Sequence, residues 1–174
     1  LSRVGVTLSA TLRKKHPRST FEFHATDDAH ALDQVSRGEA HLALVTADVP
    51  KTRGLTAKVM EDAKFQTCVG VGHPLYPAAK SGKEVPVEEV LKHAFVSPSN
   101  PLLGQVGLKQ SLDGWRDDQF PRKVEFLTSS LKLLEELVVG GRAIAYLPDY
   151  YCDRLEVSVL KVTGCPYSCS QKIK

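Results

Sequence analysis

Apolar positions along the chain set the order of its elements. From Ser2 to Lys15, Val4, Leu8 and Leu12 recur every fourth residue, one stripe of a helix that Pro17 stops. Phe21 and Phe23 alternate with polar neighbours and predict a strand over Thr20 to His24. Ala25-Thr26-Asp27-Asp28 supplies N-cap residue types for a second helix, with Ala31, Leu32 and Val35 inward and Gly38 as a left-handed cap. The unbroken apolar run Leu42 to Thr46 predicts a strand buried on both faces, so strand, helix and strand would form a crossover unit.

Beyond a polar loop from Ala47 to Gly54, two further strands are predicted over Leu55 to Met60 and Phe65 to Val71. Gly72-His73-Pro74-Leu75 breaks the pattern, and Pro86 opens a short helix carrying Val87, Val90 and Leu91. A brief strand at Ala94 to Val96 runs into Ser97-Pro98-Ser99-Asn100-Pro101, followed by a helix around Leu108 to Trp115 and a strand at Val124 to Leu127. The clearest helix comes next. Thr128-Ser129-Ser130 supplies hydroxyl caps, Leu131, Leu134, Leu137 and Val138 make an apolar face, and Gly140-Gly141 terminates it. Strands at Ala143 to Leu147 and Leu155 to Val162 complete an α/β pattern without repeats.

Composition narrows the function classes. A 174-residue chain with 42% hydrophobic and 25% charged residues is ordinary for a globular protein. A net charge of +3 argues for no nucleic-acid surface, and Arg13-Lys14-Lys15-His16 reads as a solvated helix terminus. Four cysteines, Cys68, Cys152, Cys165 and Cys169, make no paired zinc spacing, so no metal or other cofactor is expected and the thiols are read as reduced. Neither a span long enough for a bilayer nor a signal peptide is visible, and a cytoplasmic location is expected. Enzyme signatures are also missing: there is no Gly-x-Ser-x-Gly elbow and no His-Glu-x-x-His. Asp117 and Asp118 read as solvated, and Tyr146 as strand core, with a place on the wall of a cleft as its other reading.

Four stretches, taken in order, resemble the regulatory domain of LysR-type transcription regulators. They are Leu12-Arg13-Lys14-Lys15-His16-Pro17; Leu32 to Val45, similar to the family's LxxG-x-x-D-L-A-L/I; Gly72-His73-Pro74-Leu75; and Leu137 to Pro148, similar to LVxxGxGIAxLP. His41 stands where the family has Asp, and Arg142 departs from its glycine loop. The resemblance implies a type 2 periplasmic-binding-protein-like α/β fold, two lobes joined by two crossover strands and truncated at both ends. Lobe I would hold residues 1–68 and 149–174, and lobe II residues 69–148. It further implies a homodimer or homotetramer that meets DNA only through an N-terminal helix-turn-helix domain.

In open α/β sheets, ligands bind beyond the carboxyl ends of strands, where helix N-termini expose free amides. Thr26, Thr46, Ser97, Ser99, Thr128 and Ser129 all follow predicted strands, so they are the candidate ligand-binding residues for a small-molecule effector, a carboxylate or an oxyanion. Read alone, each is an ordinary helix cap. A solute-binding protein of a membrane transporter would share this fold and is the alternative reading.

Overall fold

The computed structural model describes residues 2–50, 54–102 and 111–174. The chain divides into two compact units, residues 1–57 and 58–174.

The first unit carries helix α1 (Ser2–Lys15) and helix α2 (Asp28–Ser36). Three basic residues, Arg13, Lys14 and Lys15, occupy the last turn of α1, where they complement the helix dipole. Asp27 caps α2, its carboxylate accepting from His30 N at 2.9 Å, and Gly38 takes the left-handed conformation with φ 75°. The strands expected at Thr20 to His24 and Leu42 to Thr46 are absent among the described residues of this unit. A strand exists only when a neighbour completes its ladder. Without one, Phe23 and Leu42 stay 66% and 61% exposed, and Val45 is the one buried residue described in the unit.

The second unit is organised around a ten-residue strand, β1 (Glu61–Gly70). Helix α3 (Tyr76–Ser81), strand β2 (Glu84–Pro86), helix α4 (Val87–Val90) and strand β3 (Ala94–Pro98) follow it. Strand β4 (Lys123–Thr128) leads to helix α5 (Leu131–Val139), strand β5 (Ala145–Pro148) and helix α6 (Asp149–Cys152). Strands β6 (Val157–Val159), β7 (Lys161–Thr163) and β8 (Ser170–Ile173) complete it. The strand expected at Phe65 to Val71 forms as part of β1, the separate strand expected at Leu55 to Met60 does not form, and Leu155 to Val162 divides into two short strands. Residues 108–110 of the helix expected around Leu108 to Trp115 lie outside the described residues; from 111 to 115 the chain is a turn, with Gly114 N bonded to Ser111 O.

β1 pairs antiparallel along its whole length, with β8 at its start, β5 in its middle and β6 at its end. Thr67 lies opposite Tyr146, and Cys68 opposite Ala145 and Val159. That threefold pairing explains why the strand is buried from Thr67 to Gly70, Val69 and Cys68 being fully covered. β2 pairs parallel with β7, and β3 parallel with β4 through a bulge at Phe95 and Val96.

Helix α5 is laid on this framework by its sequence. Ser130 is its N-cap, accepting from Leu133 N, and Leu134 and Val138, four residues apart, are fully buried beside Cys68 and Val96. Leu131, expected on the same face, is instead 47% exposed, because it sits ahead of the first full turn. The C-terminal end of α5 presses so closely on β1 that a Cβ on Gly70 would overlap the carbonyl oxygens of Val138 and Val139. Glycine is therefore required at position 70 by contact and not by conformation.

Candidate functional site

The candidate hydroxyls are divided between the two units. In the first, Asp28 has already taken the donors expected for a ligand at Thr46. Its Oδ2 accepts from Thr46 Oγ1 at 2.9 Å, Thr46 N at 3.0 Å and Ala47 N at 2.8 Å. Thr46 thus anchors the start of α2, while Thr26, just before the cap residue Asp27, is exposed.

In the second unit the remaining four candidates come together. β3 and β4 run parallel, so their carboxyl ends lie side by side: Ser97 pairs with Leu127 and Pro98 with Thr128, and Ser99 N donates to Thr128 O at 2.8 Å. Ser97 is only 6% exposed, Ser99 and Thr128 are half-buried, and Ser129 is exposed. Thr128 Oγ1 accepts from Ser130 N at 3.0 Å, which fixes the turn from β4 into α5. Among the described residues, no hydrogen-bond partner takes the Ser97 or Ser99 hydroxyl. The α5 start adds unspent donors, because the first amides of an α-helix have no intrahelical acceptor. Ser130 satisfies Leu133 N, leaving those of Leu131 and Lys132 at the positive end of the helix dipole.

A buried ionic cluster holds the start of β4 in place. Arg122 and Asp113 are 0% and 1% exposed, joined at 2.6 Å and 3.2 Å, and Arg122 also grips Asp117 through Nε and Nη2, each at 2.9 Å. Its guanidinium lies 5.3 Å from the ring centres of both Phe95 and Trp115. Burial alone would raise the Asp117 carboxyl, but hydrogen bonds from Arg122 and Ser111 hold it below its ordinary value. Asp117 is therefore a partner in this cluster, and Asp118 accepts from Arg116 through both oxygens, so neither is simply the solvated residue expected. Sequence reading missed the cluster because Asp113, Asp117 and Arg122 share no helical or strand spacing; Trp115 among charged residues was the only signal available.

His73, in the turn after β1, is a second buried ionisable group, 5% exposed, with its ring 4.9 Å from that of His93. Its Nδ1 accepts from Leu75 N at 3.2 Å, and burial together with His93 pushes its pKa down to about 4. It packs under Gly141, whose left-handed φ of 66° places the end of α5 against the His73 backbone.

Among the described residues no group of three or more His, Cys, Asp or Glu side chains is placed to hold a metal ion, and no helix is long and apolar enough to cross a membrane. All four cysteines are free; Cys68 and Cys152 meet in the core, where that contact and burial push the Cys68 thiol up. The arrangement at β3, β4 and α5 offers neutral hydrogen-bond donors and a helix terminus. It can hold an anion or an acceptor, and it contains no nucleophile poised beside a base.

Solved structures share this fold at low identity. The regulatory domain of CcmR from Synechocystis PCC6803, in complex with 2-PG, superposes with a TM-score of 0.67 at 15% identity, over 99% of this chain and 81% of that one. The effector binding domain of QuiR in complex with shikimate gives 0.59 at 13%, over 96% and 78%. Full-length CbnR complexed with its target DNA gives 0.62 at 11%, over 96% of this chain and 56% of that one. No curated protein matches the sequence. The LysR substrate binding domain model matches residues 6–170, nearly the whole sequence, and the chain belongs to that family.

Proposed function

We propose that this chain is the effector-sensing regulatory domain of a bacterial transcription regulator and that it takes a small carboxylate or oxyanion. The carrying observation is Ser97: the residue is 6% exposed at the carboxyl end of β3, where that strand lies beside the end of β4 that leads into α5, and no partner among the described residues takes its hydroxyl. Ser99, Thr128 and Ser129 belong to the same pair of strand ends and offer further donors there. Thr26 is the remaining candidate of the first unit, since Asp28 has taken up Thr46. Neutral donors and a helix dipole suffice for an anion, as they do at other helix N-termini. The lobe boundaries implied by the resemblance, 1–68 with 149–174 against 69–148, belong to this proposal.

The role is regulatory and not catalytic: ligand that binds one arrangement of the parent protein better than another shifts its population, and equal affinity shifts nothing. DNA contact falls to a helix-turn-helix part of the parent regulator, placed in the cytoplasm. Homo-oligomerisation has a candidate surface in the exposed Val124, Leu127, Leu131 and Leu133 on β4 and α5, where β3 is the one ladder partner of β4 among the described residues.

A thermal-shift series with shikimate, acetate and inorganic phosphate tests the reading. A ligand at a hundredfold its dissociation constant stabilises the folded state by about 2.7 kcal/mol. Thr128→Val and Ser99→Ala are expected to reduce that shift while leaving the unliganded melting temperature within a few degrees. Ligand affinity unchanged in both variants excludes these residues as the site.

A further inference from the structure

A cavity of about 250 Å³ lies within the second unit, away from the hydroxyl group at β3 and β4; none of the six candidate residues lines it. Its walls include Phe65, Trp115, Tyr146 and Tyr167, with Thr67 and Ser168 among the polar groups. The ring centres of Trp115 and Tyr146 are 5.1 Å apart at 79°, and those of Phe65 and Tyr146 5.6 Å apart, so the aromatic side of the cavity is a packed set of rings. Two of these rings are anchored by their polar ends: Trp115 Nε1 donates to Phe120 O and Tyr167 Oη donates to Gly114 O, each at 2.8 Å.

Thr67 and Tyr146 differ from the rest. They are direct cross-strand partners of β1 and β5, and side chains so paired emerge on one face of the sheet. They are 5% and 4% exposed. Tyr146 Oη accepts from Cys169 N at 3.1 Å, yet among the described residues no acceptor takes its proton, and no partner takes the Thr67 hydroxyl. Burial pushes the Tyr146 phenol well up, so it remains a donor. Buried hydroxyls ordinarily find partners. Here, among the described residues, the Thr67 hydroxyl and the Tyr146 proton are both unspent, and both residues line the same cavity. Among the described residues no Asp, Glu, Lys, Arg or His side chain lines it, so a charged ligand would lose its hydration without gaining a counter-charge from them. Two cations lie against its walls, Arg116 over the Tyr167 ring and Arg122 over the Trp115 ring, and both are held by carboxylates, Arg116 by both oxygens of Asp118 at 2.6 Å and 2.7 Å and Arg122 by Asp113 and Asp117.

We propose that this cavity is a second ligand site, taking a small uncharged ring compound with one hydrogen-bond acceptor, such as an aryl amide, which stacks among the aromatic walls and accepts from Tyr146 and Thr67. The volume fits one six-membered ring with a short substituent, below the range usual for drug-sized ligands. The site shares no lining residue with the anion site proposed above and differs from it in ligand charge.

Trp115 is the only tryptophan of the chain and lines the cavity, so its emission reports occupancy directly. Benzamide titrated into the 174-residue protein is expected to change that emission saturably, with benzoate at least about tenfold weaker because it carries an unmatched charge. Tyr146→Phe and Thr67→Val each remove one hydroxyl while keeping shape, and each should weaken benzamide by about three- to tenfold. Thr67→Val guards the test, since Tyr146→Phe also deprives Cys169 N of its acceptor. Thr128→Val, in the anion site, should leave the benzamide titration unchanged, which separates failure of one proposal from failure of the other. No saturable change, benzoate binding as tightly as benzamide, or undiminished affinity in both hydroxyl variants each overturns the assignment.

Discussion

His73 gives the protein a specific weakness to acid. Its imidazole has a pKa of about 4 in the folded protein against an ordinary 6.5, burial being the larger cause and His93 the second. The unfolded chain therefore binds a proton at His73 between those values and the folded chain does not. By linkage, the stabilising contribution is complete above about pH 6.5 and is lost as pH falls toward about 4. At roughly 1.4 kcal/mol per pKa unit, the loss is about 2 kcal/mol by about pH 5 and about 3 kcal/mol by about pH 4. Protonation also removes the acceptor that Nδ1 offers to Leu75 N, in the turn that supports Gly141. Urea unfolding at about pH 7 and about pH 5 measures the loss, and an NMR titration of the His73 ring gives its folded pKa directly. His73→Asn keeps an acceptor near the Nδ1 position and removes the titration. Its loss between the two pH values should be smaller than that of the wild type by about 2 kcal/mol, which cancels the other five histidines. Equal losses in the two proteins, or a His73 ring that titrates near 6.5, would refute the reasoning.

Other substitutions test the scaffold of the site. Arg122→Met leaves Asp113 buried without its partner and should cost about 3–5 kcal/mol in urea unfolding; adding Asp113→Asn should recover part of the loss. Gly70→Ala forces a methyl group into the carbonyls that end α5 and should cost about 1–3 kcal/mol, with a lowered melting temperature as the readout. Ser130→Ala removes the α5 cap, for about 1 kcal/mol.

The sequence by itself determined the elements whose signals are local. A stop at Pro17, a cap within Ala25 to Asp28, a left-handed Gly38, and a hydroxyl cap within Thr128 to Ser130 ahead of Leu134 and Val138 on α5 are all fixed by residues a few positions apart, and all appear in the structure, the caps being Asp27 and Ser130. The family resemblance was equally legible, because its motifs are short runs in a fixed order, and the match over residues 6–170 bears it out. The grouping of Ser97 and Ser99 with Thr128 followed from one rule about strand ends, and the parallel pairing of β3 and β4 does place them together.

What required the tertiary structure was every property that depends on a partner distant in sequence. Thr20 to His24 and Leu42 to Thr46 have the composition of strands, but no ladder partner meets them among the described residues. Thr46 looked free to bind a ligand until Asp28, eighteen positions earlier, was seen to occupy its donors. Asp117 looked solvated until Arg122 folded back over it, and Tyr146 looked like plain core until Thr67 appeared opposite it beside a cavity. Local sequence encodes backbone preference and which face is apolar. Whether a hydroxyl or a charge is spent within the protein or left for a ligand depends on what the chain brings against it.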